Sequence, residues 1–311
     1  MTQSNGHMNH DRILFVTLSN IGDLVMTTPA MQAIHELYPK HLIDVVADRR
    51  SGSLLEPCPF VGDVIWKDKR QTWRDSLQFI RRIRQCNYDL AVDLRGPWLA
   101  WIAKTKSVGL KKKRKENMHA VEHHFTALSG LDPKLSIPDT KLWLSADAHT
   151  SIEKFLAPSA PIPVLALAPG ANWPGKVWPH QAFAKLVRLL ANDFKEVLLL
   201  GGPDDFELAK SISDRSPIPT KNLCGKTTLT ETAACLSRAT AFVGNDSGVG
   251  HMAAALGIPT MTLFGEGDPQ RYRPWGDKAG IVLAPNKNLG ALSPEKVVQA
   301  LKSHLEKTAK P

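Results

Sequence analysis

The fold of this chain is decided by the stretch Phe242-Val-Gly-Asn-Asp-Ser-Gly-Val-Gly-His-Met-Ala-Ala-Ala-Leu-Gly-Ile-Pro259. An apolar strand end breaks at Gly244 and leads through polar residues into a helix of small residues that stops at Gly257. A second apolar segment, residues 260–264, follows at once, so the stretch predicts a strand–turn–helix–strand unit. Such a turn leaves backbone N–H groups unpaired in front of the positive end of the helix, a position that suits a phosphate or carboxylate.

A simpler interpretation of the same turn stays open. Asp246 or Ser247 could serve only as the N-cap of the helix, and His251 only as a residue of its first turn. A cap needs one polar residue, however, whereas this turn concentrates several residues of the kinds found in anion sites. They are Asp246, Ser247, Gly248, Gly250 and His251. This density favours a diphosphate-binding loop.

Length and composition indicate a two-domain globular protein. The chain has 311 residues, 43% of them hydrophobic and 22% charged, which suits two domains of ordinary size. No apolar run is long enough to span a membrane, and residues 1–11 lack the apolar centre of a signal peptide, so we expect a cytoplasmic protein. The four cysteines are scattered without metal-ligand spacing, which argues against a structural zinc site and a disulfide framework.

Basic residues are unevenly distributed along a chain of net charge +9. One stretch carries seven of them with no acid among them: Lys104, Lys106, Lys111, Lys112, Lys113, Arg114 and Lys115. Arg81, Arg82 and Arg84 form a smaller cluster. Such clusters attract nucleic acid, an anionic membrane surface or a phosphorylated acceptor. A solvated loop that only keeps the protein in solution is the open alternative.

Strands and helices alternate through both halves of the sequence. The first parallel sheet is predicted from five strands, at residues 13–18, 42–47, 64–66, 89–94 and 108–110. The Pro-rich segment 157–163 is the natural hinge, after which the same alternation restarts. We predict an α/β protein with two Rossmann-like, doubly wound parallel-sheet domains that face each other across a cleft, comprising residues 1–157 and 158–311. The final helix, residues 294–306, could pack on either domain.

Polar loops follow the predicted strands at one end. Ligands of open parallel sheets bind beyond the carboxyl ends of the strands, so strand polarity predicts that these loops line a single crevice. The loops are residues 20–23, 95–96, 170–176, 202–204 and 246–251. The first of them lacks the G-x-G-x-x-G pattern that cradles a dinucleotide pyrophosphate.

The chemistry of these loops points to a transferase. Lys176 can meet a phosphate as a point charge, and Asp204 can accept hydrogen bonds from ribose hydroxyls, although a solvent-exposed lysine and a helix cap stay open as alternatives. Asp23 could be a first-turn or capping residue, or a general base, a role worth about 10²–10⁴-fold in rate. One base, one activated donor and one clamp on the leaving group describe group transfer. No D-x-D pair or histidine cluster suggests a bound metal.

Four segments resemble the ADP-heptose:lipopolysaccharide heptosyltransferases, in the same order along nearly the full chain. They are ILFVTLSNIGDLVMTTPA at residues 13–30, KVWP at 176–179, GPD at 202–204 and GNDSGVGH at 244–251. The resemblance implies a GT-B fold, a sugar nucleotide held by the C-terminal domain, and inversion at the anomeric carbon of the transferred sugar.

The resemblance also implies roles for individual residues. Asp23 matches the catalytic base of the family. The donor-binding positions are Asn172, Lys176, Asp204, Asp246, Ser247, Gly248 and His251. Two of them depart from the family pattern: Asp204 stands where members usually carry Glu near the ribose, and Ala171-Asn172 replaces two hydroxyl residues.

The predicted function is transfer of heptose from ADP-heptose to the inner core of lipopolysaccharide, without a metal or another cofactor. The acceptor is anionic and lies at the inner face of the inner membrane, so we expect a peripheral protein with transient membrane contact. The candidate acceptor-binding residues are Asn20, Gly22, Arg95, Lys111, Lys112 and Lys113.

Two other functions stay open at this point. A GT-B glycosyltransferase could use another sugar nucleotide and acceptor, because the anchoring loops contact mainly the diphosphate. A non-catalytic nucleotide-binding or nucleic-acid-binding protein could use the +9 charge. The sequence carries no helix-turn-helix and no basic platform interleaved with aromatic residues, so no nucleic-acid partner is predicted.

Overall fold

The computed structural model describes residues 11–67, 72–105, 107–132, 134–156 and 162–309. The strands of the first sheet are β1 (Arg12–Val16), β2 (Leu42–Ala47), β3 (Val61–Trp66), β4 (Tyr88–Asp93) and β5 (Ser107–Leu110). Their spatial order is β3-β2-β1-β4-β5, and every neighbouring pair is parallel. The strand order therefore reverses between β1 and β4, where the connections pass to opposite sides and leave a crevice.

A second parallel sheet follows. Its strands are β6 (Val164–Ala168), β7 (Glu196–Leu199), β8 (Thr220–Asn222), β9 (Ala241–Asn245), β10 (Thr260–Phe264) and β11 (Ala279–Leu283). Their order is β11-β10-β9-β6-β7-β8, again parallel throughout. The reversal here lies between β6 and β9. The two predicted parallel sheets are confirmed.

Helices cover both sheets. Those before residue 157 are α1 (Ile21–Val25), α2 (Thr28–Leu37), α3 (Trp73–Gln85), α4 (Trp98–Ile102), α5 (Ala120–Phe125) and α6 (Ala146–Ser151). Those after residue 161 are α7 (His180–Leu189), α8 (Phe206–Ser213), α9 (Leu229–Leu236), α10 (Gly248–Ala255), α11 (Pro269–Tyr272) and α12 (Pro294–Thr308).

The segment after β1 forms two helices rather than one. Helix α1 ends at Val25 and α2 begins at Thr28. Pro29 has no N–H to offer the carbonyl of Val25, and the Thr28 hydroxyl donates to that carbonyl instead at 2.8 Å. The Thr27 hydroxyl donates to Leu24 O at 2.7 Å in the same way. The break leaves α1 as a short helix whose start lies against α10.

The two faces of the first sheet have different neighbours. Leu14 and Val16 of β1 point to a core formed with α3 and α4. Ile13 and Phe15 point the other way, to α1 and α2, into a core that continues into the second domain through α9 and α10. The helices α3 and α4 therefore lie on the outer face of the first domain, away from the second.

The segment between the domains and the final helix define where each domain ends. Residues 157–161 of the predicted hinge, with the boundary at 157/158, lie outside the described residues. The helix α6, just before them, packs against α9 of the second domain. The final helix α12 packs on α7 and β11, with Val297 and Leu301 fully buried. It therefore belongs to the second domain.

The cysteine thiols are free, and Cys58, Cys224 and Cys235 are buried. Burial raises the pKa of Cys58 to about 11 and that of Cys224 to about 12, so these thiols stay protonated at neutral pH. Among the described helices, none combines the length and the apolar composition that crossing a membrane requires.

Candidate active site

The two domains touch where α1 and α10 begin. Gly22 of α1 lies against the His251 ring, and a Cβ at Gly22 would stand 2.8 Å from Cδ2 of that ring. Gly248 of α10 lies against Ile21, where a Cβ would stand 2.8 Å from the Ile21 Cβ. A side chain at either glycine would push the two helix starts apart. These positions therefore require glycine for close approach, and they bring the two predicted loops into contact.

Asp23 lies in the first turn of α1 and is partly exposed. Its Oδ2 accepts a hydrogen bond of 2.9 Å from Asn20 Nδ2. Asn20 occupies the N-cap position, but its side chain does not cap the backbone of α1. The hydrogen bond instead orients the Asp23 carboxylate, which does not act as the N-cap.

His251 is buried beside Asp23. Burial lowers the pKa of His251 from 6.5 to about 4, because the charged imidazolium loses its hydration; the nearby Asp23 carboxylate opposes this shift. Within the described part of the chain, its Nδ1 has no hydrogen-bond partner. The imidazole is therefore neutral at physiological pH and presents an unsatisfied nitrogen at the domain contact.

We expect His251 to make stability depend on acid pH. The folded state keeps this imidazole neutral down to about pH 4, whereas the unfolded chain binds a proton below pH 6.5. The stabilisation is therefore complete above pH 6.5 and is lost as the pH falls towards 4, by about 3 kcal/mol in total. Urea unfolding at pH 6.5, 5.5 and 4.5 should show a clearly shallower dependence in His251→Gln. The control His149→Gln, at an exposed position, should keep the wild-type pH dependence. The same dependence of the free energy of unfolding on pH in all three proteins would contradict the assignment.

Lys111 differs from the neighbouring lysines of the basic run in its burial and in the charges near it. Burial lowers the pKa of Lys111, and the Asp23 and Asp93 carboxylates oppose this shift, which places its ammonium near both acids. Lys112 and Lys113 are exposed. The backbone of Lys112 is occupied in holding the loop, since its N–H donates to Thr126 Oγ1 at 3.0 Å. The site therefore receives Lys111 alone of the three.

Lys176 and Asp246 form an ion pair in the second domain. The ammonium donates to Asp246 Oδ2 at 2.6 Å, and the side chains are 27% and 7% exposed. The loop that carries Lys176 is fixed by the buried Asn245, whose Nδ2 donates to Pro169 O at 2.6 Å and whose Oδ1 accepts from Trp178 N at 3.1 Å. Asn245 thus ties both ends of the loop to β9. This role of Asn245 could not be predicted from the sequence, because both of its partners lie more than 60 positions away along the chain.

Ser247 stands at the N-cap position of α10 without capping it. Its hydroxyl is buried and has no hydrogen-bond partner among the described residues. The start of α10 consequently keeps free backbone N–H groups and adds an unused hydroxyl, the combination that anions bind at helix starts. The interpretation of Ser247 as a simple cap is not supported by this geometry.

Two predicted donor residues lie on the surface. Asn172 and Asp204 are exposed. The carboxylate next to Asp204 is the one that packs inward: Asp205 lies against Gly170 and Gly201 and accepts a hydrogen bond of 2.8 Å from Gly202 N. Burial raises the pKa of Asp205, and the hydrogen bond opposes this. Asp205 was missed because its side-chain direction depends on the turn it occupies.

Arg95 lies at the crevice of the first sheet. Its Nε donates to Thr17 O at 2.7 Å, and its backbone N–H donates to Asp93 Oδ1 at 2.9 Å. Burial lowers the pKa of Arg95. Its Nη2 and the Asp93 Oδ2 are both buried without partners in the described part of the chain. Lys67, which was not among the predicted site residues, lies nearby. Burial lowers the pKa of Lys67, and the positive charge of Arg95 lowers it further.

The structure therefore assembles the site from both domains. It joins Asp23, Gly22, Lys111 and His251 across the domain contact, and Lys176 with Asp246 beside it.

Among the described residues, one group could offer ligand atoms to a metal ion within 4.8 Å of one another. It consists of Asp11, His41 and Asp89. It lies at the amino ends of the first-sheet strands, on the edge opposite to Asp23.

Two doubly wound parallel-sheet domains that meet at the carboxyl ends of their strands define the GT-B class of fold. A family model described as "Glycosyltransferase family 9 (heptosyltransferase)" matches residues 76–301. The chain therefore belongs to glycosyltransferase family 9, the heptosyltransferase family, and the predicted enzyme class is confirmed.

Similar proteins of known name or known structure are consistent with membership of this family. A "Lipooligosaccharide heptosyltransferase 2" of Haemophilus influenzae is 29% identical over 306 residues, which cover 87% of this chain and 88% of the relative. The solved family 9 glycosyltransferase of Veillonella parvula superposes with a TM-score of 0.87 at 20% identity, covering 97% of this chain and 99% of that one. The solved Escherichia coli "ADP-heptose lps heptosyltransferase II" superposes with a TM-score of 0.79 at 24% identity, covering 95% and 99%. Both solved structures share the fold of this chain.

Proposed function

We propose that this protein transfers heptose from ADP-heptose to the inner core of lipopolysaccharide, with inversion at the anomeric carbon. The observation that carries the proposal is the contact of Gly22 with the His251 ring. It sets the Asp23 carboxylate of the first domain beside the start of α10 in the second, where we propose that the donor diphosphate binds. The relatives add support, because their names specify heptose transfer to lipooligosaccharide and an ADP-heptose donor.

The donor diphosphate is proposed to bind at the start of α10. Free N–H groups of Gly248 and its neighbours, the Ser247 hydroxyl and the Lys176 ammonium converge there. Helix dipole and lysine together place positive charge where negative charge develops on the departing ADP. Asp205, as the partly buried carboxylate of the neighbouring loop, is better placed than the exposed Asp204 to fix that loop against Gly170.

The reaction is proposed as a single displacement. The acceptor hydroxyl oxygen attacks the anomeric carbon of heptose, and the bond from that carbon to the diphosphate oxygen breaks. ADP leaves with the bonding electron pair, and Asp23 takes the proton of the acceptor hydroxyl. Asn20 holds the carboxylate in orientation through its 2.9 Å hydrogen bond.

We propose that no metal ion takes part. In other transferases a metal neutralises the leaving diphosphate. Here Lys176 and the positive end of α10 supply that charge from the protein, and Asp246 keeps the lysine in place at 2.6 Å. Closure of the two domains over the donor would exclude water and limit its hydrolysis.

The acceptor is proposed to bind on the first domain. Lys111 and Arg95 are partly buried cations on the side of Asp23 and Asp93, so they can pair with phosphate or carboxylate groups of the lipopolysaccharide core. The acceptor is carried by a lipid, and we therefore propose action at the inner face of the inner membrane through transient surface contact. Lys112 and Lys113 are exposed and would contribute only long-range attraction.

The test is release of ADP in the presence of a chelator. Purified protein is incubated with EDTA, ADP-heptose and a panel of truncated core acceptors. We expect turnover on one acceptor, unchanged when magnesium is restored. Turnover with a GDP-, UDP- or dTDP-sugar but not with ADP-heptose would establish the alternative GT-B function. A strict requirement for magnesium would contradict the proposed role of Lys176 and α10.

A further inference from the structure

Exposed tryptophans are concentrated on the outer helices of the first domain. Trp73 on α3 and Trp101 on α4 are each 69% exposed, and Leu77 and Trp98 on the same two helices are also exposed. Tryptophan is normally well buried, since its large ring gains most from leaving water. Several exposed rings on adjoining helices therefore indicate a surface that something else covers.

These helices share one side of the molecule. Phe79 and Ile83 of α3, and Leu99 and Ala100 of α4, pack into the same core on the outer face of the first sheet. The Lys67 ammonium lies 4.3 Å from the centre of the Trp98 ring and 5.9 Å from that of Phe79. It bridges α4 and α3 at the crevice edge. The second domain packs on the other face of the sheet, so this surface is left to solvent.

The surface is basic as well as apolar. Helix α3 has the sequence WRDSLQFIRRIRQ, with four arginines and one aspartate. The aspartate, Asp75, is used in the capping box with Thr72. Trp73, Leu77, Arg81 and Arg84 recur at the three- and four-residue spacing that places side chains on one face of a helix. Arginine and tryptophan thus emerge side by side.

We propose that α3 and α4 form a docking surface for an anionic phospholipid bilayer. Tryptophan rings settle at the headgroup level of a membrane, and clustered arginines attract its negative surface. Single-stranded nucleic acid would instead need a groove in which successive bases stack on aromatic rings, whereas these rings stand on two separate helices that cover the outer face of the first sheet. The charge and the apolar residues together fit a bilayer.

The position of this surface suits a lipid-linked acceptor. Helix α4 begins at Trp98, three residues after Arg95, so the docking surface borders the acceptor side of the cleft. This geometric consequence rests on the proposed function. Binding to vesicles does not, because it requires only the exposed residues of α3 and α4.

The experiment compares binding to vesicles of phosphatidylglycerol mixed with phosphatidylethanolamine, and to vesicles of phosphatidylcholine alone, by co-sedimentation. The wild type should bind the anionic vesicles at least tenfold more strongly. The triple variant Trp73→Ser, Leu77→Ser, Trp101→Ser should lose at least tenfold of that binding. Arg81→Glu with Arg84→Glu should lose a similar amount. The matched control is Leu189→Ser with Leu283→Ser, two exposed leucines of the second domain, and it should bind as the wild type does.

A second assay separates docking from catalysis. All substituted residues are exposed, so turnover on a water-soluble truncated acceptor should stay within twofold of wild type in each variant. Turnover on the full acceptor embedded in vesicles should fall at least tenfold in the triple and arginine variants only. Wild-type vesicle binding in the triple variant, or equal wild-type binding to neutral vesicles, overturns the proposal. Preference of the wild type for nucleic acid over anionic vesicles overturns it as well. Failure of the wild type on the soluble acceptor would instead count against the proposed function.

Discussion

Asp23→Asn is expected to lower kcat on the heptose acceptor by about 10²–10⁴-fold. An amide has the shape of the carboxylate and its oxygen can still accept the 2.9 Å hydrogen bond from Asn20, but it cannot take a proton. Because Asp23 does not cap α1 and is partly exposed, the free energy of unfolding should change by less than about 1 kcal/mol. Affinity for ADP should stay unchanged, because the donor is proposed to bind on the other domain.

The matched control is Asp75→Asn. Asp75 occupies the same third position of helix α3 that Asp23 occupies in α1, but it completes a capping box with Thr72. We expect this control to lower the melting temperature slightly, because it weakens the capping box, and to keep full kcat on a soluble acceptor. The opposite pattern for Asp23→Asn, with kcat retained and the melting temperature lowered, would make Asp23 a first-turn structural residue.

The decisive stretch was predictable because its signals are local. The predicted strand end before Gly244, the helix that stops at Gly257 and the strand at 260–264 correspond to β9, α10 and β10 within two residues. Buried parallel strands are continuous apolar runs, and glycine and proline interrupt them. The strand polarity that followed from this alternation also indicated which loops meet at the cleft.

Elements that form only through tertiary packing were not predicted from the sequence. Helix α4 follows Pro97 and has only five residues, of which Leu99 and Ala100 are buried against the sheet while Trp98 and Trp101 are exposed. A segment that short carries no measurable helical period, and its helix forms because the sheet receives two of its side chains. Strand β3 likewise begins at Val61, before the apolar residues that predicted it.

Side-chain direction limited the prediction of the site. Lys111, Lys112 and Lys113 are consecutive residues of the same type, so the sequence does not distinguish them. Only Lys111 turns inward where β5 ends. Asp204 and Asp205 differ in the same way, since the turn from Pro203 sends one carboxylate outward and the other against Gly170. The pairing of Lys176 with Asp246 joins residues 70 positions apart, and no local pattern could indicate that distance.

Lys176→Met is expected to lower kcat/KM for the donor by about 10²–10³-fold, the range for loss of one group that stabilises developing negative charge. Methionine keeps most of the length of the side chain and removes its charge. The control is Lys154→Met, because Lys154 forms an ion pair of the same 2.6 Å length with Glu231, away from the proposed site. That variant should keep full activity.

The pairing with Asp246 allows a sharper test. If the ammonium only neutralises Asp246, its loss leaves a nearly buried carboxylate unpaired beside the incoming diphosphate, and the defect comes from that charge. Asp246→Asn added to Lys176→Met then removes the unpaired charge and restores activity to within a few fold of wild type. If Lys176 binds the diphosphate directly, the double variant stays at least about 10²-fold below wild type, since the positive charge is still missing. We expect the second outcome, because the helix dipole alone, worth roughly 0.3–1 kcal/mol, is too weak to carry the charge that develops on departing ADP.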